Sequence, residues 1–132
     1  ATIHFQHLPV GNGALALLNA GASNPAGSTA GTGRVTSSTC GSAGPENTYW
    51  WKTCPEFTGG TLTASTCTRA TWDTVLYLTN GSGTGGGCAD DDCGTQSNLS
   101  SMVTAGAGVH TLTVDGYYST SLGAYTVQVS RP

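Results

Sequence analysis

Apolar residues recur at every second position in short blocks, and glycine-rich breaks separate the blocks. That is the period of pleated strands, not of helices. Residues 1–8 alternate, with Ile3 and Phe5 on one face and His4 and Gln6 on the other, and Pro9 and Gly11 end the run. Residues 14–19 form a short apolar segment bounded by glycines, which favours a strand over one turn of helix. Residues 20–33 are Gly, Ala, Ser and Thr around Asn24 and Pro25, and predict a linker or long loop.

From Arg34 the pattern is denser, with a short strand expected over 35–38 and a turn over 41–45. A strand over 48–54 puts Tyr49 and Trp51 on one side, Trp50 and Cys54 on the other. A turn over 55–60 leads to 61–67 as its hairpin partner. In 74–79, Val75 and Tyr77 share one face, Leu76 and Leu78 the other. A strand apolar on both faces belongs in the middle of a covered sheet. A glycine loop over 81–87 precedes a tight acidic hairpin, Cys88 to Cys93, and further strands are expected over 99–104, 109–115 and 124–130. Many short strands with turn signals about every ten residues predict an all-β, antiparallel β-sandwich or jelly roll.

Charge removes several function classes. Charged residues are 8% of the 132-residue chain, net charge is −3, and Lys and Arg together number four. A nucleic-acid or anionic-lipid partner needs a basic surface that this composition cannot supply. No apolar run reaches membrane-spanning length, so insertion is not expected. His4, His7 and His110 are scattered, and neither a Gly-x-Ser-x-Gly elbow nor a His-Glu-x-x-His helix occurs. The expectation is a protein that is not an enzyme.

Five cysteines without a C-x-x-C pair predict disulfides and an oxidising, extracellular setting. A cross-strand bridge is expected between Cys54 and Cys67, and another between Cys88 and Cys93. Cys40 is left as a buried thiol, a partner in a different pairing, or an intermolecular link. The chain begins at Ala1 without a charged, apolar leader, and is expected to be the mature form of a secreted protein.

The contiguous Asp90, Asp91 and Asp92, with Asp73 and Asp115 if the fold brings strand ends together, are the candidate ligands for a structural calcium ion. Calcium takes six to eight oxygens, commonly from carboxylates and carbonyls. The alternative is that these carboxylates accept backbone N–H bonds and fix loops. Trp72, Tyr117 and Tyr118 are candidate ligand-stacking aromatics, against the alternative of packing in the core or at its rim. Asn80 and Asn98 each open an N-x-S sequon.

Several segments together resemble one family: Asp73-Thr-Val-Leu-Tyr-Leu, Cys88-Ala-Asp-Asp-Asp-Cys-Gly, Gly106 through Tyr117, and Gly123-Ala-Tyr-Thr-Val. Over roughly residues 40–130 the chain is similar to the bacterial pre-peptidase C-terminal (PPC) domain, most of all to its cysteine-bearing secreted variants. The resemblance implies a jelly-roll β-sandwich without catalytic residues, usually appended to secreted hydrolases, some members of which bind polymers and calcium.

The expected organisation is an N-terminal arm and linker, 1–33, ahead of a PPC-like sandwich, 34–132. The arm, with Ile3, Phe5 and Leu8, is expected either to form the chain's own first strand or to add to a neighbour's sheet edge. Head-to-tail addition of that kind builds filaments. The chain is therefore expected to partner itself as a secreted structural or adhesive subunit. The alternative is a module that binds extracellular polysaccharide or protein.

Overall fold

The computed structural model describes residues 15–31, 43–81 and 85–132. Among the described residues, eleven strands build three sheets. They are β1 (Leu15–Leu17), β2 (Gly21–Ser23), β3 (Ala26–Ser28), β4 (Asn47–Thr53), β5 (Gly60–Ser65) and β6 (Thr74–Thr79). β7 (Gly85–Asp90), β8 (Asn98–Val103), β9 (Gly108–Gly116), β10 (Ala124–Thr126) and β11 (Gln128–Arg131) follow. A five-stranded sheet runs β1-β4-β9-β6-β7, a four-stranded sheet β2-β11-β5-β8, and β10 pairs with β3 alone. All ladders are antiparallel except β1 on β4.

The alternating pattern accounts for the core. Tyr49 and Trp51 of β4, Leu76 and Leu78 of β6, and Leu112 and Val114 of β9 lie in one buried cluster. Leu62 and Ala64 of β5, Leu99 and Val103 of β8, and Val129 of β11 join them from the other sheet. Two sheets sharing one core in this way are consistent with a β-sandwich. The doubly apolar strand 74–79 lies between β9 and β7, with Val75 buried on the face opposite Leu76 and Leu78.

Four expectations are corrected. First, 48–54 and 61–67 do not form a hairpin: β4 pairs with β9 and β1, whereas β5 pairs with β8 and β11. Each strand has its own apolar face, and placing them in different sheets lets those faces meet across the core. The intervening turn is held by Phe57 N–H donating to Cys54 O at 3.0 Å, and Phe57 packs against the core.

Second, the stretch read as a linker, 20–33, contains β2 and β3. Small side chains give little strand signal, but a ladder needs only backbone, and β11 and β10 supply it. Gly27 is required by contact: a Cβ there would lie 2.9 Å from the Tyr125 hydroxyl.

Third, the glycine loop expected over 81–87 is partly strand β7, whose Gly86 lies so close to Leu78 that a Cβ would come within 2.7 Å of it. Fourth, the single strand expected over 124–130 is broken at Val127, whose N–H donates to Pro25 O at 2.9 Å. The chain changes sheets there. The strand expected over 35–38, the arm residues Ile3, Phe5 and Leu8, and Cys40 lie outside the described residues.

Candidate functional site

Three of the five candidate metal-ligating carboxylates come together. Asp73 immediately precedes β6, Asp90 ends β7, and the β6–β7 register sets Asp90 opposite Val75. Asp91 follows with φ at 57°, an uncommon conformation for a residue other than glycine. One carboxylate oxygen from each of Asp73, Asp90 and Asp91 lies within 4.8 Å of the others. Asp73 Oδ1 and Asp90 Oδ1 are buried atoms that no hydrogen-bond donor reaches among the described residues.

The strands beneath are fixed by a hydroxyl network. Thr66 Oγ1 and Thr74 Oγ1 share a 2.7 Å bond, and Ser97 Oγ donates to Thr74 O at 2.6 Å. Thr74 N–H donates to Thr95 O at 3.1 Å, and Gln96 Nε2 to Trp72 O at 3.2 Å. The loop that carries Asp91 is thereby pinned to the strand that follows Asp73.

Electrostatics follow from the crowding. Burial, then the charges of Asp91 and Asp73, push Asp90 up to about 6. Burial and the Asp91 charge also raise Asp73 above the usual carboxylate range. Such a cluster can share a proton or take up a hard cation, with Asp73, Asp90 and Asp91 supplying part of a six-to-eight-oxygen shell. The two buried oxygens without donors fit a calcium ion.

The remaining candidates do other work. Asp92 Oδ2 accepts from Asn98 N–H at 3.0 Å, which fixes the loop, and Asp92 is exposed. Asp115 is fully buried; it accepts from Tyr77 Oη at 3.2 Å and from Gly116 N–H at 2.7 Å. Asn80, the first sequon asparagine, is also buried; it donates to Met102 O and accepts from Thr104 N–H.

The disulfide expectation is corrected. Cys67, just past β5, bonds Cys93 in the β7–β8 loop across 26 positions. Cys54 is an exposed free thiol, because β4 and β5 lie in different sheets. Cys88 is disulfide-bonded, but not to Cys93. It sits within β7 opposite Tyr77, while its neighbour Ala89 points into the core. Sequence proximity favoured the short loops; the fold instead stacks the β5 end against the acidic loop.

The aromatic candidates separate. Trp72 is half-buried, its Nε1 donates to Ala124 O at 2.8 Å, and its ring meets Tyr125 edge-on at 6.4 Å. Tyr117 and Tyr118 contact each other edge-on at 4.7 Å, with Tyr118 exposed.

Two polar arrangements carry no signal in the sequence. His110, buried, accepts from Gly81 N–H through Nδ1 at 3.0 Å, so Nε2 carries the proton toward Thr53 Oγ1 at 2.9 Å. Arg131 lies 5.5 Å over the Trp51 ring. Each arrangement joins residues from distant parts of the chain, and no spacing rule marks such pairs.

Compared with models of protein families, with curated proteins and with solved structures, the chain matches none.

Proposed function

We propose that this chain is a non-catalytic, secreted structural or adhesive subunit that associates with copies of itself, a PPC-like domain of jelly-roll type. The observation that carries the reading is β1. Among the described residues it is the outermost strand of the five-stranded sheet, and its Leu15 and Leu17 are 41% and 58% exposed. An apolar edge strand is a template for pairing with another chain. The sequence leading into β1 carries Ile3, Phe5 and Leu8, the residues that would fill pockets on a neighbour's edge. The Cys67–Cys93 disulfide fits an oxidising setting. His110, the histidine among the described residues, is held at both ring nitrogens and serves packing instead of proton transfer. A calcium ion on Asp73, Asp90 and Asp91 belongs to the same proposal, as a clamp on the β6–β7 end.

The test is particle mass by light scattering and negative-stain microscopy. Full-length protein is expected to assemble. A chain without residues 1–12 and a Leu15→Lys, Leu17→Lys variant are both expected to be monomeric. A folded monomer in every case would remove self-association and leave a ligand-binding module as the better reading.

A further inference from the structure

The loop between Cys67 and Asp73 and the segment around β10 enclose an open groove of about 470 Å³. Its lining includes Thr68, Arg69, Trp72, Leu122 and Thr126, with Tyr125 at the base. We propose that this groove binds a neutral glycan, with Trp72 as the surface on which a pyranose ring stacks. The inference goes beyond self-association and does not depend on it.

Several observations converge here. The Trp72 ring is locked before any ligand arrives. Its Nε1 donates to Ala124 O, Tyr125 meets it edge-on, and Gly123 lies so close that a Cβ would fall 3.2 Å from the indole. A half-buried aromatic held in one orientation loses little freedom on binding. The C–H face of a pyranose packs on such a ring, while its hydroxyls need directional partners at the rim. Arg69 Nη2 donates to Gln128 Oε1 at 3.1 Å, which orients a planar guanidinium with donors to spare beside the ring. Thr68 and Thr126 add hydroxyls to the wall. Thr68 also has φ at 60°, a strained conformation for a β-branched residue, and strain of that kind collects at binding sites.

The backbone argues against a peptide. Recognition by strand addition needs an unpaired edge. In the groove, Ala70 bridges Tyr125, and Thr126 N–H donates to Arg69 O at 3.1 Å. On its other side, β10 is paired with β3. The ligand must therefore be read by side chains, and those present are the Trp72 ring over Tyr125, the Arg69 guanidinium, threonine hydroxyls and the apolar Leu122. With no carboxylate and a single cation in the lining, the wall suits a neutral sugar.

The test titrates cellohexaose, xylohexaose, laminarihexaose and, as the acidic contrast, hexagalacturonate into the monomeric fraction of the full chain. Calorimetry and the Trp72 indole N–H resonance are the readouts. The expected result is a neutral hexasaccharide binding with a dissociation constant on the order of 1 mM or tighter, with the Trp72 resonance shifted. Trp72→Ala is expected to weaken binding more than about tenfold. Arg69→Ala, at an exposed rim position that leaves the fold intact, is expected to weaken it several-fold. Absence of binding by all three neutral sugars, tighter binding of hexagalacturonate, or unchanged affinity in Arg69→Ala with an unmoved Trp72 resonance would overturn the assignment. Because the monomeric fraction is used, a negative result leaves the assembly reading untouched.

Discussion

Tyr49 of β4 and Tyr125 of β10 share a 2.6 Å hydrogen bond between their phenol oxygens inside the core. The bond ties the two-stranded β3–β10 sheet to the five-stranded one. Asn47 Nδ2 donates to the Tyr125 oxygen at 2.9 Å, so three polar side chains satisfy one another away from water. Burial raises both phenols above their ordinary pKa, and pushes Tyr49 well above it.

Tyr125→Phe takes from the Tyr49 hydroxyl its buried partner and from the Asn47 amide one of its bonds, while the bond from Asn47 Nδ2 to Ser28 O remains, at a cost of about 1–3 kcal/mol. The expected readout is a melting temperature lower by several degrees in calorimetry. The double variant with Tyr49→Phe should cost less than the sum of the two singles, because the orphaned hydroxyl is gone.

The acidic cluster predicts a pH-dependent difference between wild type and Asp90→Asn. Asp90 has a folded pKa of about 6, above its unfolded value near 4. Its contribution is therefore fully present only below about pH 4 and is lost as pH rises through about 6. Without divalent cations, Asp90→Asn is expected to melt above wild type at pH 7 and level with it at pH 4. Millimolar calcium should raise the wild-type melting temperature at pH 7 and move the variant much less. A chelator-insensitive melting temperature would leave the cluster as a proton site alone.

His110 works in the opposite direction on pH. Its neutral form is held by the Gly81 N–H, which needs the Nδ1 lone pair, and burial, then the Arg131 charge, lower its pKa. Its contribution is present above the unfolded value of about 6.5 and is lost as pH falls through the folded one. Proton NMR should show His110 titrating below the ordinary histidine range, and Arg131→Gln should bring its titration closer to that range.

The disulfide has a stability consequence of its own. A bridge across 26 positions is worth about 3.5 kcal/mol in the loop-entropy estimate. Cys67→Ser with Cys93→Ser should lower the denaturant midpoint accordingly, with little change in slope. In the native protein, iodoacetamide should label Cys54, the exposed free thiol, and leave Cys67 and Cys93 unlabelled.

The one-dimensional pattern by itself determined the all-β class, most strand positions and which residues of a strand share a face. Alternation is a property of each strand alone, so Tyr49 with Trp51, Leu62 with Ala64, and Leu76 with Leu78 could be assigned to shared faces before any neighbour was known, while the choice between Trp50 and Trp51 for the core was left to the fold, which buries Trp51. It also marked Asp73, Asp90 and Asp91 as candidates, because acidic side chains are rare here and those sit at strand ends.

Which strand pairs with which was decided only in three dimensions. β4 and β5 look like a hairpin because a turn joins them, yet burying both apolar faces places them in opposite sheets, and the cysteine pairing changes with them. β2 and β3 carry almost no side-chain signal, since their stability comes from ladders donated by β11 and β10 far along the chain. The Trp72 groove, the Tyr49–Tyr125 bond and the exclusion of Asp92 and Asp115 from the carboxylate cluster likewise depend on which strand ends meet. Periodicity specifies the face a residue turns to, while the partner across that face is chosen by the packing of the whole chain.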